Sequence, residues 1–474
     1  MSAPTQTRRI AIVGGGITGL SAAHRVVELS RARELPVDVV LFEASARIGG
    51  VISSLDRDRF VLEEGPDSIL SEKPAAVRLA ERIGLKDRLI GTSDEYRRSF
   101  VVRRGRLEPT PDGFYLLAPT RMMPLAASRI FSIPGKMRMA LDLVIPRRKA
   151  TGDESVADFV LRRLGREALD RMAQPMIGGI YGADPANLSI QATFPRFHTM
   201  EAEHGSVIRA MISAGRKRNT ASASGARYSL FVTFDKGLQV LSDALCRLLP
   251  PGAVRLRCGV TGLQPRPEGG WALATTTGGE LFDAVVLAHH APDAATLVRP
   301  FDAELARRLS SITYGMAATV SLAFREEDVP HPMDGFGFVV PAIEGLSIVG
   351  CTFGHRKYRG RAPAGYALLR AFWADAARDL TDKEIVGRTR QDLSKLLSIR
   401  VAPLFEHVAR WDDSMPRYAV GHLDLVASIE QLVAGHNGLA LAGNGYRGIG
   451  VPDCIQSGEA AAEGLIGRLF PRPV

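Results

Sequence analysis

The sequence predicts an α/β chain built on a Rossmann-like dinucleotide-binding domain with α+β insertions, and three observations carry that prediction. Apolar residues 10–13 run as a buried parallel strand straight into Gly14-Gly15-Gly16-Ile17-Thr18-Gly19. Residues 37–42 form the next strand, and Glu43 closes it. Strand-like segments of the same apolar character return far downstream, at 283–288 and 439–442, so the domain is assembled from separated stretches of chain.

Each element has a physical reason. Gly14, Gly16 and Gly19, with Gly15 between them, supply the tight turn, the close backbone approach and the helix–strand contact that a pyrophosphate site needs. The helix from Ile17 aims its N-terminal amides at the phosphates. Glu43, followed by Ala44, falls where a carboxylate accepts hydrogen bonds from an adenosine ribose, and it would repel a 2′-phosphate. The next segment, Arg47-Ile48-Gly49-Gly50, resembles one found in the large class of FAD enzymes that includes amine oxidases, carotene desaturases and porphyrinogen oxidases, and it favours FAD over NAD.

At 474 residues the chain is too long for one compact core, so two or three lobes are expected. Charged residues at 23% and hydrophobic ones at 46% are ordinary for a folded soluble protein. The four cysteines, at 246, 258, 351 and 454, include no C-x-x-C pair. They suit a reducing cytoplasm and give no reason to expect a disulfide framework or a metal site. The first strand begins too early for a secretory signal, and no uncharged apolar run is long enough to span a bilayer.

The net charge of +9 is concentrated between Arg97 and Lys149, where twelve basic residues stand against three acidic ones. Aromatic residues are not interleaved with them as nucleic-acid stacking platforms would be. Instead Met122, Met123, Leu125, Ile130, Phe131, Ile133, Met137, Met139, Leu141, Leu143, Val144 and Ile145 run between them. Such short basic and apolar helices suit a segment lying on an anionic membrane surface. The alternative is a solvated helix face whose apolar side enters a core.

Further along, residues 254–260, 271–276 and 283–288 read as strands, the last ending at His289-His290-Ala291-Pro292. Residues 439–442 lead into a glycine turn, Gly443 to Asp453, with one helix, 454–469, left before the chain stops. That turn suits a polar ring or an anion, and the helix dipole there would favour negative charge on a reduced flavin. Two insertions separate these pieces. Residues 111–190 read as short helices, including 155–164 and 166–176. Residues 305–404 read as strands at 317–324, 336–340, 347–353 and 366–373 with a helix at 382–397, a sheet that would roof a substrate cavity. Residues 216–226 read as a loop.

Four segments carry a more specific resemblance: Gly178-Gly179-Ile180-Tyr181-Gly182 with Leu188-Ser189 and Thr193-Phe194-Pro195; Phe234-Asp235-Lys236-Gly237-Leu238; Pro416-Arg417-Tyr418-Ala419-Val420-Gly421-His422; and Gly443 through Cys454. On these the chain resembles the oxygen-dependent porphyrinogen oxidases of haem biosynthesis, protoporphyrinogen oxidase and its bacterial coproporphyrinogen relatives, over nearly its whole length. The resemblance implies an FAD domain of the glutathione-reductase/amine-oxidase type (residues 1–70, 236–300 and 405–474), a substrate sheet domain (71–110, 191–235 and 301–404) and a helical membrane-associating domain (111–190). It implies removal of six hydrogens from a porphyrinogen, protoporphyrinogen IX in the first instance, with O2 as acceptor and peroxide released. Non-covalent FAD would contact Gly14, Gly15, Gly16, Gly19, Glu43, Ala44, Arg47, Gly50 and Val51, then Gly65, Pro66, Asp67 and Ser68, and finally Val260, Trp411, Gly443, Ile449, Gly450 and Val451.

For substrate the resemblance points to Arg97, Arg98, Phe100 and Gly179. Mitochondrial-type relatives place an arginine just before the aromatic residue, whereas here Ser99 precedes Phe100, which opens the way to a different side-chain pattern on the porphyrinogen. Coproporphyrinogen III, with more carboxylates, is the alternative substrate; Arg97, Arg98 or Arg209 would supply the extra positive charge. His289 and His290 are candidate proton relays, with a structural role as the other reading. A flavin amine oxidase and a non-catalytic tetrapyrrole-binding flavoprotein are the remaining alternatives. Implied partners are an anionic membrane surface bound peripherally from the cytoplasm, ferrochelatase and a second copy of the chain.

Overall fold

The computed structural model describes residues 6–115, 118–119, 121–149, 152–213 and 230–471; the loop expected at 216–226 lies outside the described residues. Its nucleotide-type domain is a five-stranded, wholly parallel sheet in the order Val254–Arg255, Val37–Phe42, Arg8–Val13, Ala284–Leu287, Leu439–Leu441. The first strand has the second on one side, while its other neighbour comes from some 270 residues downstream. Buried on both faces, these strands are continuous apolar runs rather than alternating ones, as parallel sheets require. Helix Ile17–Ala32 packs on one face through Leu20, Ala22, Ala23 and Val26, beside the C-terminal helix Val451–Leu469. That last helix begins three residues before the expected position because Pro452, with φ preset, sits in its first turn.

One expected strand is broken. Residues 254–260 divide into Val254–Arg255 and a second strand, Val260–Pro265, because Arg257 takes a positive φ of 53°. The Arg257 and Cys258 amides turn away to donate to the carbonyls of Ser45 and Glu43.

The 305–404 insertion forms most of a seven-stranded sheet, ordered Phe405–Pro416, Tyr314–Arg325, Tyr366–Trp373, Gly350–Phe353, Gly337–Val339, Phe100–Arg103, Arg106–Pro109. Helix Asp382–Leu397 covers one face, started by a capping box in which Thr381 and Glu384 satisfy each other's amides. The helical insertion has its own core of Leu125, Ile130, Phe131, Met139, Phe159, Val160, Met172 and Ile177. It continues past residue 190 through helix Pro195–His204 to Met211. Expected helix 166–176 runs on to Tyr181 across a π-helical turn, Leu169–Ala173.

Arg163 is wholly buried in this core. Its guanidinium meets Asp142 at 2.5 Å and the carbonyls of Ile145, Asp142 and Gly205. Asp142 in turn accepts from Ser206 Oγ and the Ile208 amide. The basic, apolar segment divides its side chains between two environments. Leu125, Ile130, Phe131 and Met139 enter the core, while Met123, Ile133, Met137 and Val144 stay 82, 73, 67 and 75% exposed. Among the described residues, no helix is long and apolar enough to cross a membrane.

Candidate active site

The C-terminal ends of the first two parallel strands open onto a cradle. Gly14 turns the chain with φ 109°, and a Cβ there would stand 2.8 Å from the Ala288 carbonyl oxygen. A Cβ on Gly19 would overlap the Gly14 carbonyl oxygen, so this glycine closes helix against strand. Gly16 is different: a Cβ there would meet only Gly50 Cα, at 3.9 Å. The helix that follows has no side-chain cap and no acidic residue in its first turn, which leaves its amides to an outside anion. Glu43 closes the cradle by accepting the Gly15 amide at 2.6 Å on one oxygen and the Ser45 amide at 2.7 Å on the other. Ala44 is exposed beside it and lies against Gly259, next to the half-buried Val260. Residues 14–16, 43–44 and 50 thus line one cradle beside the uncapped start of the first helix, an arrangement that fits the diphosphate and ribose of a dinucleotide.

From there the groove continues to a second turn. Arg47 donates to the carbonyls of Gly50 and Ile52 and lies over the Trp411 ring at 5.5 Å. Trp411 Nε1 donates to the Glu64 carbonyl at 2.8 Å, and Thr319 Oγ1 donates to it at 3.1 Å. Gly65 packs on the Val51 carbonyl so closely that a Cβ would overlap it. Glu64 is held by Ser53 and by His407 Nε2 at 2.7 Å. Burial alone would raise the Glu64 carboxyl, but these partners hold it below the usual range. Residues 64–68 are all partly exposed, so the turn presents one open face while its back is fastened to the large sheet. Burial would likewise raise the carboxyl of Asp67, yet Lys357 and Arg370 hold it well below the usual carboxylate range.

The C-terminal glycine turn forms a third wall, built by two of the distinctive segments. Tyr418 donates its hydroxyl hydrogen to the Asn444 carbonyl and accepts the Gly448 amide at 2.8 Å. His422 stacks on Tyr418 at 4.0 Å and its Nε2 bonds the Tyr446 carbonyl at 2.9 Å. The Ser189 amide donates to the Tyr418 carbonyl, and Tyr181 packs near the Tyr418 ring. The motif residues are therefore a clamp on the backbone of 444–448. Gly443 lies buried at the strand end, near the His289 carbonyl, while Ile449 and Gly450 are half exposed and Val451 starts the helix. The dipole of that helix is already answered by Asp453, which accepts the Gly450 amide and pairs with Lys73 at 2.7 Å, so the simple expectation of a free anion site there is corrected.

The remaining expected residues are less concentrated. Gly179 is exposed on the last turn of helix Gln174–Tyr181 with Ile180, while Arg97 and Arg98 lie on the surface, paired with Asp94 and Asp334. Phe100 is buried in the large sheet, edge-on to His331. His289 has both ring nitrogens buried without a hydrogen-bond partner among the described residues, and burial lowers its pKa, so it rests neutral. His290 tilts over Tyr314 at 5.0 Å; burial lowers its pKa too. Tyr446 packs in the core. Surface cavities of about 400 and 320 Å³, one lined by Arg196, Met200 and His204 and the other by Arg390, Leu393 and Arg400, lie away from these three turns.

Residues 17–466 match the family model of flavin containing amine oxidoreductase. The chain is 32% identical over 468 residues to the coproporphyrinogen III oxidase of Bacillus subtilis (strain 168), covering 98% of this chain and 99% of that protein. It is 29% identical over 479 residues to the chloroplastic protoporphyrinogen oxidase of Oryza sativa subsp. japonica, with 95% and 87% covered. A crystal structure from Exiguobacterium sp. 255-15, described as "Putative protoporphyrinogen oxidase", superposes with a TM-score of 0.85 at 29% identity, covering 98% and 99% of the two chains.

Proposed function

Since the chain belongs to the flavin-containing amine oxidoreductases and to the porphyrinogen oxidases among them, we propose that it oxidises a porphyrinogen to a porphyrin with O2 as acceptor, and that coproporphyrinogen III is preferred over protoporphyrinogen IX. One observation carries the reading: the Gly-Ile-Tyr and Pro-x-Tyr-x-x-Gly-His segments, which set this family apart in sequence, converge on the glycine turn through Tyr181, Tyr418 and His422. The preference rests on the higher identity to the coproporphyrinogen relative and on Ser99 standing where an arginine would pair a propionate in mitochondrial-type relatives.

In this reading FAD supplies the hydride acceptor, and the protein supplies position and field. Gly14, Gly15, Gly16 and Gly19 with the first-helix amides hold the diphosphate. Glu43 and Ala44 take the ribose, and the backbone of Val260 the adenine edge. Arg47, Gly50, Val51, Trp411 and the turn Gly65-Pro66-Asp67-Ser68 bed one side of the ring system. Gly443, Ile449, Gly450 and Val451 flank the other. The macrocycle would lie toward Gly179 and Ile180, both exposed on the last turn of their helix. No side-chain acid–base pair is assigned: both ring nitrogens of His289 are buried without a hydrogen-bond partner among the described residues. An amine oxidase reading would want a lysine on the strand Tyr314–Arg325, where residues 315–319 are Gly-Met-Ala-Ala-Thr. Met123, Ile133, Met137 and Val144, set among basic residues, are the membrane-facing surface of the helical part.

The test is to mix purified yellow protein with each porphyrinogen under air. Porphyrin fluorescence and peroxide should rise together, with a higher kcat/KM for coproporphyrinogen III. Turnover of amines alone would overturn the activity, and a higher kcat/KM for protoporphyrinogen IX would overturn the preference.

A further inference from the structure

Behind the half-exposed turn 64–68 lies a charge cluster. Lys357 Nζ stands 3.0 Å from Asp67, and Arg370 Nη1 stands 3.8 Å from it. Arg370 is buried and also donates to the Gly65 carbonyl, so its charge is tied to the backbone of the turn. Around this core, Glu63 pairs with buried Arg361 at 3.3 Å, and Glu64 faces Arg47 and His407. Arg47, Lys357, Arg361 and Arg370 thus meet the carboxyl groups of Glu63, Glu64 and Asp67 around the turn. Lys357 and Asp67 are less than one-fifth exposed, so water screens them weakly.

Reduction of a flavin adds two electrons, and the fixed charges nearest the ring decide how readily it accepts them. We propose that Lys357, Asp67 and Arg370 form an electrostatic device that sets the flavin's reduction potential, the two cations favouring the electron-rich reduced ring and Asp67 opposing them. The inference rests on the reading above that beds the ring on residues 64–68. Lys357 and Arg370 are positioning residues that act through the turn and the field, while Asp67 belongs to the turn that beds the ring. Their cations arrive from strand Tyr366–Trp373 and the short helix Gly354–Lys357, on the same sheet whose strand Tyr314–Arg325 offers no cation at 315–319.

Reductive titration of the holoprotein against a reference dye reads this directly. Lys357→Met should lower the ratio of reduced to oxidised flavin at a given ambient potential by about tenfold, about 30 mV for a two-electron couple. Asp67→Asn should raise it by a similar factor, and Lys357→Arg should restore the wild-type value. Opposite shifts from two residues in contact are what a loosened turn cannot give. If Asp67→Asn does not fold, the Met and Arg variants at 357 decide the matter alone. Shifts in the same direction, or none from Lys357→Met, would overturn the inference. Pro66→Trp separates this from failure of the underlying placement: an indole on the open face of the turn should alter the absorption and fluorescence of bound FAD. An unaltered flavin in Pro66→Trp removes the ring from the turn and the inference with it. An altered flavin without the opposite shifts sinks the charge device only.

Discussion

Replacing Ile133, Met137 and Val144 together by serine should detach the protein from anionic vesicles while leaving its fold and its colour intact. Ile133 and Met137 lie one turn apart on helix Ile133–Ala140, and Val144 follows the short turn after it. The three are 73, 67 and 75% exposed, so they contribute almost nothing to the core, which takes Met139 instead. Full burial of such a side chain is worth about 1.5–3 kcal/mol, and about two-thirds to three-quarters of that is available to a lipid surface here. Three residues then supply roughly 4 kcal/mol, or about a thousandfold in partitioning. Nearby Arg147 and Lys149 add about 1 kcal/mol each near anionic headgroups, a contribution that salt weakens, while Arg148 is already paired with Glu154. Co-sedimentation with phosphatidylglycerol-containing vesicles measures both: the wild type should pellet at low salt, less so at high salt, and the triple variant should stay in the supernatant. A triple variant that sediments like wild type, or a wild type that never binds, would refute the assignment of this face to a membrane.

Three further outcomes follow from the cradle and the buried groups. Gly16→Glu should fold with near-normal stability, because its Cβ makes only an ordinary contact with Gly50 Cα at 3.9 Å, yet purify colourless, because its carboxylate would stand where the diphosphate binds; Gly19→Ala should lose about 1–3 kcal/mol by forcing helix from strand, read by urea unfolding of the two apoproteins. His355 accepts the Leu368 amide at 3.2 Å, and burial pushes its pKa down to about 4. The unfolded chain therefore takes up this proton first, near pH 6.5, so its contribution is intact above that pH and drains as pH falls toward 4; His355→Gln should flatten the dependence of Tm on pH in that window. Arg163→Met would strand the buried Asp142 charge and should cost about 3–5 kcal/mol in the same unfolding assay, with FAD affinity as a check that the nucleotide domain is untouched.

Long periodic elements were legible in the sequence. The strand at 37–42, the strand at 366–373 and the helix at 382–397 form at those residues because each has a continuous or periodic apolar pattern with clear ends. Residues 254–260 looked like one strand because alternation alone cannot reveal the left-handed residue at Arg257 that sends its neighbours to the loop after Glu43. Glycine positions in the cradle could be read because each serves a local turn or contact. The charges behind the flavin turn could not. Glu63, Glu64 and Asp67 are near neighbours in sequence, but their partners Arg361, His407 and Lys357 lie about three hundred residues away, and nothing in either stretch marks the pairing. Nor did the sequence separate which apolar residues of 122–145 enter the core, since those helices are too short for a single face to be assigned.

Anaerobic mixing of the purified holoprotein with coproporphyrinogen III tests the central claim most directly. The flavin's visible absorbance should bleach on mixing, before any oxygen is present, and return with porphyrin fluorescence and peroxide once air is admitted. A flavin that stays oxidised in the presence of excess porphyrinogen would contradict it.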